Sequence, residues 1–158
     1  MSNVSESPLP AKRAVLLVED HETTRVTLAG VLENEGCKVT AVASAGAARE
    51  KVREEEFDLV ITDLRLPDGD GMDLLSETKR LSGGTPVILI TGHGSEETAV
   101  QAIKRGAFNY LPKPIDLHRL RADLESALRF HLETFGTEAL NIDPPVLDAF
   151  IAEAQVSS

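Results

Sequence analysis

The stretch Leu59-Val60-Ile61-Thr62-Asp63-Leu64-Arg65-Leu66-Pro67-Asp68-Gly69-Asp70-Gly71 decides the fold. Its first part, Leu59 to Thr62, is an apolar run of strand length that stops at Asp63. A run without polar alternation suits a strand buried on both faces, as in a parallel sheet covered by helices on both sides. Pro67, Asp68 and Gly69 then form a turn. From Gly71 or Met72 to Leu81 the pattern is helical, with Leu74, Leu75, Thr78 and Leu81 on one face.

The same unit recurs on either side. Ala14 to Val18 is a continuous apolar run that ends in Glu19-Asp20, and Glu22 to Glu35 follows as a helix stopped by Gly36. Cys37 to Val42 alternates, with Lys38 and Thr40 against Val39 and Ala41, which marks an edge strand. Ser44 is placed to cap a helix from Ala45 to Glu55. After the loop Ser82 to Pro86, Val87 to Ile90 is again wholly apolar. Thr91-Gly92-His93-Gly94 turns the chain, and Ser95 is placed to cap a helix that carries Glu96 and Glu97 first and ends at Gly106. Phe108 to Leu111 is a short mixed strand. The last helix begins near Asp116, with Leu117, Leu120, Leu124 and Leu128 on one stripe.

Strand and helix thus alternate five times between residues 14 and 131. This predicts an α/β fold, a doubly wound (βα)5 flavodoxin-like three-layer sandwich around a parallel sheet. The wholly apolar strands belong in the middle and the mixed ones at the edges, which gives the order 2-1-3-4-5.

Composition narrows the function classes. The chain has 158 residues, of ordinary domain size, and a formal charge of -10. That charge repels polyanions, so direct nucleic-acid or anionic-membrane binding is disfavoured. No apolar run approaches the ~20 residues of a membrane span. Residues 1–12 are polar and Pro-containing and read as a flexible leader rather than a secretory signal. The single cysteine, Cys37, excludes an internal disulfide framework and fits the cytoplasm.

Sheets of this order bind ligands outside the carboxyl ends of their strands. Glu19 and Asp20, Asp63, Thr91 and Lys113 follow the first, third, fourth and fifth strands and converge there, with no comparable cluster at the opposite ends. Taken singly, Asp63 is a cap or turn residue, Glu19-Asp20 a capping pair and Lys113 a surface lysine. Together they have a shared chemistry. Three close carboxylates repel one another, and a hard cation such as Mg²⁺ relieves the repulsion while leaving room for phosphate oxygens. Lys113 and the Thr91 hydroxyl are groups that pair with phosphoryl oxygens, and a carboxylate such as Asp63 attacks phosphorus to give an acyl phosphate.

Four blocks carry a resemblance over residues 12–131: Leu17-Val18-Glu19-Asp20-His21, Thr62 to Gly71, Ile90-Thr91-Gly92, and Gly106 to Pro114. They resemble the receiver domains of two-component response regulators. Thr91 to Ser95 with Thr98 to Ala102 look most like receivers of the nitrogen-regulatory, enhancer-binding type. The resemblance implies that Asp63 accepts phosphoryl from a histidine kinase or histidine phosphotransfer protein. It implies Mg²⁺ on Asp20, Asp63 and the Arg65 carbonyl, with Glu19 acting through water. It implies Thr91 and Lys113 on the phosphoryl oxygens, and Thr91 with Tyr110 as the switch. It also implies an output protein or second copy bound on the face of helix 4, strand 5 and helix 5. Arg65 and His93 should flank the mouth of the crevice.

The expected domains are the leader 1–12, the receiver 13–131 and an extension 132–158. In the extension, Pro144 and Pro145 precede an apolar stripe of Val146, Leu147, Phe150, Ile151 and Ala154, so a short helix is expected. Met1 and the lack of a linker after Ser158 favour a stand-alone receiver over the regulatory fragment of a DNA-binding transcriptional activator. An aspartate-nucleophile phosphatase wants a general-acid aspartate where this chain has Arg65.

Overall fold

The computed structural model describes residues 13–92 and 96–135, without the side chains of Glu96 and of residues 132–135. The expected leader, His93, the Ser95 cap and the helix after Pro145 lie outside the described residues.

The chain runs β1 (Arg13–Val18), α1 (Glu22–Asn34), β2 (Cys37–Val42), α2 (Ala45–Glu54), β3 (Leu59–Asp63), β4 (Arg65–Leu66), β5 (Gly69–Asp70), α3 (Gly71–Leu81), β6 (Val87–Thr91), α4 (Glu96–Lys104), β7 (Asn109–Pro112) and α5 (Leu117–Phe135). The main sheet is wholly parallel in the order β2-β1-β3-β6-β7. Counting its strands alone, this is the predicted 2-1-3-4-5. Every residue of β3 and β6 is buried, as the uninterrupted apolar runs required.

Strand alternation sorts the core into two layers. Leu17, Ile61 and Ile90 join Leu28, Leu32, Leu120, Leu124 and Leu128 on the side of α1 and α5. Leu16, Val60 and Leu89 join Leu74 and Leu75 on the other side. Leu16, Leu17, Ile88 and Leu89 have no exposed surface, and burial of each such side chain contributes roughly 1.5–3 kcal/mol.

Three details differ from expectation. The turn after Asp63 is a small antiparallel hairpin, pairing Arg65 with Asp70 and Leu66 with Gly69. The edge strand β7 extends through Pro112, where a missing N–H is tolerated because little pairs outward. Caps at α3 and α5 were also unforeseen: Asp70 Oδ1 accepts from Met72 N at 2.6 Å, and Asp116 Oδ1 from His118 N at 2.9 Å. The Lys113–Pro114 peptide is cis. Among the described residues no helix is long and apolar enough to cross a membrane.

The end of the sheet opposite the acidic crevice is not free of ionisable groups. Asp58, just before β3, is buried and accepts a 2.8 Å hydrogen bond from Ala14 N. Buried His131 on α5 brings Nδ1 to 3.7 Å from Asp58 Oδ1. Burial pushes the Asp58 carboxyl up from 3.8 to about 6, against the Ala14 hydrogen bond and the charge of Arg13, with Glu56 adding to the rise. Burial pulls His131 down, with Glu56 opposing.

The two signs oppose each other. Between pH 3.8 and about 6 the folded chain holds the Asp58 proton more tightly than the unfolded chain. Asp58 therefore contributes stability that is full at low pH and lost as pH rises through about 6. His131 contributes the reverse slope, losing stability as pH falls through its ordinary value of 6.5. Comparison with Asp58→Asn isolates the first effect. Wild type is expected to lose up to about 3 kcal/mol relative to the variant between about pH 4 and pH 7. Urea unfolding at both pH values checks this, and a difference that stays flat refutes it.

Candidate functional site

The C-terminal ends of β1, β3, β6 and β7 bring the five predicted residues into one crevice. Asp63 is the last residue of β3, held beside β6 by its pairing with Ile90 and by the 2.8 Å bond from Leu64 N to Ile90 O. Its side chain is 8% exposed and held at both oxygens. Lys113 Nζ donates to Oδ2 at 2.8 Å, and Arg65 N donates to Oδ1 at 3.3 Å. Lys113 reaches Asp63 from beyond β7 because its own N–H is bonded to Thr91 O at 2.8 Å. That bond links the fourth and fifth strand ends directly. Thr91 is buried at the end of β6.

Glu19 has no exposed surface. Its Oε2 accepts from His21 N at 3.0 Å. Its Oε1 lies 3.4 Å from Lys113 Nζ, an ion-pair distance without hydrogen-bond geometry, so that buried oxygen has no hydrogen-bond partner. Burial raises the Glu19 pKa, and the nearby Asp63 charge adds to the rise, while His21 N–H and Lys113 oppose it. Burial alone would lower Lys113, but its hydrogen bond and attraction to Asp63, then Glu19, leave it raised. The ammonium therefore stays charged.

Asp20 is exposed at the crevice mouth. Carboxylate oxygens of Glu19, Asp20 and Asp63 lie within 4.8 Å of one another. Three acids face one ammonium at that spacing, and one buried oxygen lacks a hydrogen bond. These hard oxygen donors fit Mg²⁺, which takes one or two carboxylates and keeps several waters. An acidic pocket suited to such an ion is therefore present.

Other residues support the crevice. Arg25 on α1 donates from Nη1 to Glu19 O at 2.9 Å and to Asp20 O at 3.4 Å, bracing the turn that presents both acids. Gly71 packs against the backbone of Asp63: an added Cβ would stand 2.5 Å from Asp63 O. Gly71 N also bonds Leu64 O at 2.7 Å. Arg25 gave no sequence signal, because the carbonyls it reaches are set by the fold. Gly71 was legible only as a helix start.

Tyr110 is half-buried on edge strand β7, paired in register with Leu89 and packed on the α2–α3 side of the sheet. Its carbonyl accepts from Arg119 Nη2 at 3.3 Å. Arg65 is exposed on the hairpin.

Residues 15–125 match the response regulator receiver domain family. The response regulator protein PilR of Pseudomonas aeruginosa is 41% identical over 119 residues, which cover 75% of this chain and 27% of that protein. The transcriptional regulatory protein ZraR of Escherichia coli is 38% identical over 135 residues, covering 85% and 29%. The chain thus spans little more than a quarter of the length of these relatives. Among solved structures, the beryllofluoride-activated NtrC4 receiver domain dimer is 36% identical with a TM-score of 0.71, covering 75% of this chain and 98% of that one. The receiver domain of NtrX from Brucella abortus is 37% identical with a TM-score of 0.69, covering 73% and 98%. The likeness to NtrC- and NtrX-type receivers is seen among the solved structures, and the chain belongs to the response regulator receiver domain family.

Proposed function

We propose that residues 13–131 form a receiver whose phospho-acceptor is Asp63, loaded from the phosphohistidine of a sensor kinase or phosphotransfer protein. The observation that carries this reading is the state of Asp63. It is nearly buried, it bonds to Lys113 and the Arg65 N–H, and it sits within 4.8 Å of two further acids. A carboxylate so placed is oriented for attack and screened from bulk water.

In the proposed step an Asp63 oxygen forms a bond to phosphorus as the P–N bond to histidine breaks. The departing imidazole leaves with its electron pair and takes a proton. Asp20, Asp63 and the Arg65 carbonyl would hold Mg²⁺, with Glu19 behind a water. That ion, when bound, neutralises carboxylate and phosphoryl charge. Lys113 would exchange its bond to the Asp63 carboxylate for one to a phosphoryl oxygen, and the Thr91 hydroxyl would take another. Because Lys113 N and Thr91 O are already bonded, a pull on either shifts the ends of β6 and β7 together. The switch would bias Tyr110, three residues back on β7, and the face of α4, β7 and α5. Uptake and loss of phosphoryl are then catalysed by the receiver itself, which signals rather than turning over a metabolite.

The test is direct. Wild type incubated with Mg²⁺ and acetyl phosphate is expected to gain one phosphoryl group in intact mass, and to gain none when EDTA replaces Mg²⁺. Absence of any gain with Mg²⁺ contradicts the reading. We place the receiver in the cytoplasm, with no direct nucleic-acid or membrane contact of its own. For output, a second copy on the α4–β7–α5 face has support from the NtrC4 receiver, which is a dimer when beryllofluoride-activated. Regulation of a transcriptional output has support from ZraR, a transcriptional regulatory protein. Arg65, where an aspartate phosphatase would carry its general acid, argues against hydrolysis as the role.

A further inference from the structure

Asp68 sits at the tip of the β4–β5 hairpin, yet its carboxylate bonds to a helix 22 and 23 residues earlier in the chain. Oδ1 accepts from Ala45 N at 2.8 Å and Oδ2 from Gly46 N at 2.9 Å. These are the first two N–H groups of α2, and Ser44 Oγ takes the next, Ala47 N, at 3.1 Å. The helix therefore has its own cap from Ser44 and a second from the hairpin. The two amide bonds hold the Asp68 carboxyl below its ordinary value. Gly69 sits close beside this junction, where an added Cβ would meet Ala45 Cβ at 3.1 Å.

The hairpin begins at Arg65, whose N–H bonds Asp63 and whose carbonyl is the proposed third protein ligand for Mg²⁺. Its base is held by the Leu64–Gly71 bond and by the Arg65–Asp70 pairing, and Leu66 is buried beneath it. The first two hold the root by hydrogen bonds, and Leu66, next to the loop, is held by packing in the core. Among the described hydrogen bonds only those of Asp68 tie the tip to another element, and a two-strand hairpin held there by packing alone has more freedom to pivot.

Resting on the receiver reading, we propose that Asp68 is a positioning residue: it clamps the hairpin to α2 and so holds the Arg65 peptide in place for metal binding and phosphoryl uptake. Groups that orient a metal ligand from behind typically change affinity by about tenfold or more when removed, and Asp68 acts one step further away, so about fivefold is expected.

The experiment compares wild type, Asp68→Ala, Asp68→Asn and Ser44→Ala. Ser44→Ala weakens the same helix end without touching the hairpin. Two quantities are read: the Mg²⁺ dissociation constant by calorimetry, and amide hydrogen exchange of the metal-free protein. Asp68→Ala is expected to weaken Mg²⁺ by about fivefold and to speed exchange at Arg65 as well as at Ala45 and Gly46. Asp68→Asn, which keeps one acceptor oxygen, should fall between it and wild type. Ser44→Ala should leave the Mg²⁺ constant and Arg65 exchange unchanged. If wild type binds Mg²⁺ and Asp68→Ala binds it equally well, or no worse than Ser44→Ala, the clamp is wrong and the receiver reading stands. If wild type binds no Mg²⁺ at millimolar concentration, the receiver reading itself fails.

Discussion

Asp63→Asn is expected to gain no phosphoryl group from acetyl phosphate and Mg²⁺ under conditions that load wild type. The amide lacks the anionic oxygen that attacks phosphorus, and loss of a nucleophile costs more than about a thousandfold in rate. No other acid in the crevice is ready to replace it. Glu19 has no exposed surface and one oxygen already bonded to His21 N, and Asp20 is exposed to solvent, whereas Lys113 bonds Asp63. The fold should survive, because the Asn carbonyl still accepts from Lys113 and the charge beside Glu19 is removed. Glu19 is raised partly by that charge, so its upward shift should shrink. Intact mass reads the first outcome, and circular dichroism with urea unfolding reads the second. A phosphoryl gain that persists in the variant would place the acceptor elsewhere.

Gly71→Ala is expected to be the most disruptive of the single-methyl changes. The new Cβ would lie 2.5 Å from Asp63 O, 3.0 Å from Leu64 Cα and 3.3 Å from Asp63 C. All three are backbone atoms, two of the acceptor Asp63 itself and one of the residue after it, so relief requires moving the end of β3 or α3. A loss of roughly 2–4 kcal/mol follows, typical of overpacking against atoms that cannot yield. Phosphoryl uptake should fall as well, since Asp63 moves with its carbonyl. Gly30 is the matched control. It lies inside α1 with nothing within 4 Å of an added Cβ, and Gly30→Ala should stabilise by about 0.5–1 kcal/mol. Urea midpoints for both variants test the contrast. Equal effects would show that the approach of Gly71 to Asp63 does not limit the fold.

These two residues also show what was legible in the chain. Asp63 announced itself because an unbroken apolar run ended in an acid, and because Glu19, Asp20, Thr91 and Lys113 end other strands of the same pattern. Period and run length are local, so they survive in the sequence. The same locality explains the sheet order, since mixed strands such as β2 and β7 go to the edges. It does not reveal Gly71's close approach, which depends on how tightly α3 returns under β3. Nor does it reveal Asp58, which reads as a loop acid and proves buried against Ala14 N–H and His131, 73 residues later in the chain.

The sequence by itself determined the alternation of strands and helices, the burial of the central strands and the set of residues at the crevice. Each follows from apolar periodicity, or from a polar residue that ends an apolar run. Only the tertiary structure decided which partner each charged group takes. Lys113 binds Asp63 rather than solvent, Arg25 braces the Glu19 and Asp20 carbonyls, and Asp68 caps a helix it does not adjoin. A hydrogen bond is a matter of a few ångströms, and which distant backbone amide comes that close is settled when the sheet and helices pack.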